Sequence, residues 1–176
     1  FGRVLKEGLH FAPKHRAKLA DLVRYRSSTQ GEEWVSLTEY AERMPEDQPA
    51  IYYALGPSRA LLETSPHLEV LKAKGYEILY MTDGVDEWAV QGLTAYADKP
   101  LVAALSEDRK RDDEEHTDAE REAQQQEFSG LTERIGGVLD ERVREVRISR
   151  RLADSPACLV IPQGGLHAHT ERLLRA

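Results

Sequence analysis

The stretch "AIYYALGPSRALLETSPHLEVLKAKGYEILYMT", residues 50–82, decides the fold. Its two ends, AIYYAL and YEILYMT, are β-branched and aromatic runs of strand length. Between them lie two helical patterns, GPSRALLET and SPHLEVLKAKG. In the second, Ser65 can cap, Pro66 suits the first helical position and Gly75 can end the helix. Strand, helix and strand in succession predict a parallel sheet flanked by helices, with right-handed crossovers.

The pattern extends to both sides. Downstream, "DGVDEWAVQGLTAYA" (83–97) reads as a helix whose larger apolar residues are Val85, Trp88, Leu93 and Tyr96. "KPLVAAL" (99–105) is a third strand. Upstream, "SLTEYAERM" opens on Ser36 with Glu39 three residues on, the spacing of a capping box, and Pro45 lies just past its end. "KHRAKLADLV" (14–23) is helix-like, with Leu19, Leu22 and Val23 on one side, and "RYRSSTQGEEW" (24–34) reads as polar and turn-prone. Residues 1–105 are therefore expected to form an α/β unit of layered α/β/α type.

The composition changes after Leu105. Residues 106–127 hold ten Asp or Glu against four Lys or Arg and almost no apolar side chain, which predicts an acidic linker or exposed helix. Phe128, Leu131, Ile135 and Val138 then recur at near-helical spacing, across a glycine pair that weakens the helix. "RVREVRISRRL" (142–152) and "PACLVIP" (156–162) read as strands and "GGLHAHTERLLRA" (164–176) as a last helix. Residues 128–176 are expected to be an incomplete α+β unit. Phe1 is not a start methionine and nothing closes the last helix, so the chain reads as a piece of something longer.

Several functions are disfavoured at this level. A net charge of −7 argues against general nucleic-acid binding, which needs clustered cations. No apolar run approaches a membrane span, and the start has no signal-peptide pattern. The one cysteine, Cys158, cannot form an internal disulfide, and in the run ACLVI it reads as a structural thiol. A reducing, cytoplasmic setting is expected. The chain has no phosphate loop, no GxGxxG after a strand and no GxSxG elbow, so no catalytic residue is assigned. His167 and His169 stand two apart, and on a helix such side chains point about 200° apart and cannot chelate one ion. No metal site is expected.

Asp86 and Glu87 fall in a helix's first turn, where acids complement the macrodipole, and adjacent helix positions do not face each other as an acid/base pair. Trp88 has two readings, a core residue or an exposed anchor for another protein. The last helix is equally open: Leu166, Thr170, Leu173 and Leu174 share a face that is either a core seam or a binding ridge.

Taken together, FGRVLKEGLH, LADLVRYRSS, VSLTEYAERMPEDQPAIYY, SPHLEVLKAKGYEILYMTDGVDEWAV, VREVRISRRLADSPACLV and GGLHAHTERLLRA resemble, in order and spacing, the ninety-kilodalton heat-shock protein chaperones of the bacterial HtpG type. The resemblance covers nearly the whole chain except the acidic stretch. It implies that residues 1–105 are the second half of the middle domain. Residues from about Asp112 onward would begin the C-terminal domain, without its dimerisation helices. The ATP-binding domain, and the middle-domain arginine that reaches the nucleotide, would lie upstream of Phe1.

The resemblance also implies client-protein contacts at Asp86, Glu87 and Trp88 of the DEW motif. It implies others at Leu166, Thr170, Leu173 and Leu174 of an amphipathic helix, where the family often carries methionine at the positions of Leu166 and Thr170. The expected function is that of a chaperone segment that binds partly folded clients and couples domains. The alternative is a purely structural joint between the middle and C-terminal domains. No enzyme activity or cofactor is expected in this chain, with ATP and Mg belonging to the full-length protein. The expected partners are client proteins, other domains of the same chaperone and co-chaperones, with neither nucleic acid nor membrane. Without the dimer helices the chain is expected to be monomeric.

Overall fold

The computed structural model describes residues 2–104, 118–149 and 152–158. Helix α1 (Gly2–Phe11) is followed by a 3-10 turn (Pro13–His15) and α2 (Arg16–Leu22). Strands β1 (Arg24–Ser27) and β2 (Val35–Ser36) lead into α3 (Leu37–Arg43) and β3 (Ile51–Leu55). Next come α4 (Arg59–Glu63), a 3-10 turn (Pro66–Leu68), α5 (Glu69–Ala73) and β4 (Ile78–Met81). Helix α6 (Asp86–Gly92), β5 (Ala95–Tyr96) and β6 (Lys99–Ala103) complete the sheet unit. Helix α7 (Asp118–Leu139) follows.

The α/β expectation holds, with a mixed rather than wholly parallel sheet. The order is β2-β1-β4-β3-β6-β5. The three strands legible in the sequence, β3, β4 and β6, form the parallel centre, with Tyr52 opposite both Ile78 and Val102. Strands β1, β2 and β5 are added antiparallel at its two sides. Strand β1 lies in the segment expected to be turn. Its sidedness is regular, with Tyr25 and Ser27 buried, but four residues containing two arginines hide that alternation.

The core has two halves, one on each face of the sheet. Ile51, Leu79 and Met81 point to one face and meet Leu9, Val23, Leu37, Ala89 and Leu93. Tyr52, Ala54, Ile78 and Tyr80 point to the other and meet Leu62, Leu68 and Tyr76. Every residue of β4 is buried, as expected of a strand covered on both faces. Full burial of each such large side chain contributes roughly 1.5–3 kcal/mol.

Local signals act where the spacing placed them. Ser36 Oγ accepts the Glu39 amide at 3.1 Å, and Glu39 Oε2 accepts the Ser36 amide at 2.8 Å, closing the capping box. Tyr40, fully buried on α3, donates its hydroxyl to the Glu77 carbonyl. The same oxygen accepts from Gln48 Nε2 at 2.8 Å and from the Tyr52 amide at 3.1 Å, tying α3 to the sheet. Burial pushes the Tyr40 hydroxyl up to about 12, so it stays protonated for this donation.

Three expectations change. The helix expected over 83–97 is confined to Asp86–Gly92. A two-residue turn at Ala97 and Asp98, both with positive φ, folds 95–96 back on 99–100 as a hairpin. Where the acidic stretch is described, from Asp118, it is helical, one of the two forms expected of it, and α7 continues through Gly136 and Gly137. Residues 143–149 form no strand: a strand exists only where a ladder partner pairs with it, and none does among the described residues. Residues 156–158 are likewise outside any ladder, and 159–162 lie outside the described residues.

Candidate interaction site

The exposed aromatic surface of the sheet unit arises where α1 crosses α6. The crossing is close because Gly92 has no side chain: a Cβ there would stand 2.3 Å from the Leu9 carbonyl oxygen and 2.9 Å from the His10 Cα. Leu9 and Ala89 fill the seam beneath.

The start of α6 is fixed by charge. Lys6 of α1, almost wholly buried, places Nζ 2.9 Å from Asp86 Oδ1 and 2.6 Å from Asp83 Oδ2, and 4.7 Å from the Tyr25 ring centre. Asp86 is fully buried, and its Oδ2 accepts the Asp83 amide at 3.0 Å. Burial pushes the Asp86 carboxyl up, and the Lys6 ammonium pulls it back down. Burial, then the charges of Asp86 and Asp83, raise the Tyr25 hydroxyl far above its ordinary range.

With Asp86 and Ala89 facing inward, the helical period turns Trp88 outward. Trp88 is 50% exposed, so it is not a core residue. It meets Phe11, the 62%-exposed last residue of α1, edge to face at 5.5 Å between ring centres. His10 completes the group, 4.8 Å from Phe11 and 6.1 Å from Trp88.

Of the residues assigned from the sequence, Trp88 is thus on the surface and Glu87 is half-buried. Asp86 is buried beneath that surface, paired with Lys6. Leu166, Thr170, Leu173 and Leu174 lie outside the described residues, as do His167 and His169. Phe11 and His10 were missed. The signal was there in "VLKEGLHF", where Leu5 and Leu9 stand one helical turn apart.

Among the described residues no group of three or more His, Cys, Asp or Glu is arranged to hold a metal ion. The clustered acids are already engaged, Asp83 and Asp86 by Lys6, and Glu69 by the amides of residues 153–155. No helix among the described residues is long and apolar enough to cross a membrane.

Comparison with known proteins gives concordant results. A family model described as "Hsp90 protein" matches residues 1–176. The chaperone protein HtpG of Myxococcus xanthus is 52% identical over 99% of this chain, and that of Geobacter sulfurreducens is 48% identical over all of it. The chain covers 27% and 28% of the length of these two relatives. Among solved structures, the middle domain of a Plasmodium falciparum heat shock protein superposes with a TM-score of 0.57 at 32% identity, covering 58% of this chain and 43% of that one. A match running from the first residue to the last, with a middle-domain likeness in three dimensions, means that this chain belongs to the Hsp90 chaperone family.

Proposed function

We propose that this chain is a client-binding and domain-coupling segment of an ATP-driven chaperone, with the Trp88–Phe11 pair as its client contact in the sheet unit. The observation that carries the reading is that two exposed aromatic side chains, Trp88 and Phe11, pack edge to face where α1 crosses α6. Large aromatic groups dominate binding energy at protein interfaces. Lys6 and Asp86 hold the platform beneath it, so Asp86 serves as a positioning group and Glu87 as the polar rim. Leu166, Thr170, Leu173 and Leu174 supply a second, apolar contact. Nucleotide and magnesium act in the longer protein on residues outside this chain, and the chain itself catalyses nothing. Its partners are partly folded polypeptides, the other domains of the same chaperone and co-chaperones, in the cytoplasm.

The test is fluorescence anisotropy of a labelled, partly unfolded protein titrated with this chain. Trp88→Ala and Phe11→Ala, each confirmed folded by circular dichroism, are expected to weaken binding roughly tenfold, or about 1.4 kcal/mol. Leu173→Ala combined with Leu174→Ala tests the second contact. Affinity indifferent to both aromatic changes sinks the reading and leaves the pair as packing. A purely structural joint is the second reading, and the contacts of Glu69 across the chain favour it.

A further inference from the structure

Glu69 opens α5, and the preceding turn plants Leu68 fully in the core. Its carboxylate reaches residues 84–86 positions downstream. Oε2 accepts three successive amides, those of Ala153 at 2.8 Å, Asp154 at 3.0 Å and Ser155 at 3.1 Å. Oε1 accepts the Ser155 hydroxyl. Consecutive amides converging on one point form an anion nest, and here the anion is supplied by the chain itself. The Ser155 hydroxyl, followed by the three amides, holds the Glu69 carboxyl down to about 2.

Two features make this more than a surface contact. All four bonds end on one carboxylate, one residue past the core residue Leu68. Loss of that one group therefore removes all four bonds at once. The clasp also lies on the sheet face of Tyr52, Ile78 and Tyr80, whereas Trp88 rises from the α6 face of Leu9, Ile51 and Met81. The joint can therefore open without disturbing the aromatic pair.

We propose that Glu69 is the latch between the sheet unit and residues 152–158: a single carboxylate seated in the amide nest of residues 153–155, whose release frees that stretch from the sheet unit. The proposal stands independently of client binding. Amide hydrogen exchange on the intact chain tests it. The 153–155 amides should be protected in the native protein. In Glu69→Ala their exchange should rise by roughly tenfold or more, with β3, β4 and the Trp88 emission unchanged. Excess sodium acetate, a free carboxylate for the vacated nest, should slow it again, and sodium chloride at equal ionic strength should not. Ser155→Ala lies outside the sheet unit, so the fold of that unit does not depend on it. It should raise exchange at 153 and 154 by a smaller factor. Unprotected amides in the native chain, or exchange at 153–155 unaltered by both variants, would overturn the latch.

Discussion

At the scale of single residues, two positions set the aromatic surface without belonging to it. Gly92 is one. An alanine Cβ there meets backbone, which has nowhere to retreat, so α1 must move off α6. Gly92→Ala is expected to cost about 1–3 kcal/mol in a urea melt. It should also shift the Trp88 emission, read in a Trp34→Phe background because Trp34 is the other tryptophan. Lys6 is the second position. Replacing it by methionine leaves Asp86 buried without its cation, and breaking a buried pair costs about 3–5 kcal/mol. The pH dependence carries the signature. With Lys6 gone, the Asp86 carboxyl in the fold lies still further above its unfolded value of 3.8. An acid raised on folding contributes most when protonated, so the deficit of Lys6→Met should shrink as pH falls from neutral towards 4. Melts of both proteins across that range check it, and a deficit independent of pH would dissociate the loss from Asp86.

At the scale of elements, the β5–β6 hairpin makes a non-glycine pair take the left-handed turn, with φ +48° at Ala97 and +61° at Asp98. An L side chain there costs of the order of 1 kcal/mol, so Asp98→Gly should raise the melting midpoint by about that much free energy. The same turn explains what the sequence hid. Strands β3, β4 and β6 were legible because each is a run of apolar residues bounded by turn chemistry. Strand β5, with its positive-φ turn, has neither, and its residues pass for the tail of a helix. Strand β1 was missed because its exposed positions are arginines in a four-residue run. The site divided similarly. Trp88 could be named from its motif, but whether it faced core or solvent depended on Asp86, Ala89 and Gly92 docking on α1. Phe11 joins it only through that long-range crossing.

At the scale of the whole molecule, the sheet separates the two proposed contacts. One face carries the Trp88–Phe11 surface, and the other carries the Glu69 latch. The latch has its own acid signature. Glu69 falls from an unfolded value of 4.5 to about 2 in the closed joint. A carboxyl lowered in this way contributes fully above 4.5 and loses that contribution as pH drops towards 2. The one cysteine, Cys158, lies three residues past Ser155 and gives a natural attachment point for a spin label. The label should gain mobility across that pH window in the native chain. In Glu69→Ala it should already be mobile at neutral pH and change little on acidification. Circular dichroism on the same samples separates opening of the joint from loss of the sheet. The separation by the sheet yields the last expectation. Layers packed on a sheet lie about 10 Å from it, and sites more than about 7–10 Å apart with no shared partner act additively. Trp88→Ala should therefore weaken client binding by the same factor whether Glu69 is present or replaced by alanine. If the factor differs several-fold between the two backgrounds, the faces communicate through β3 and β4, and opening the joint is part of how this chain grips a client.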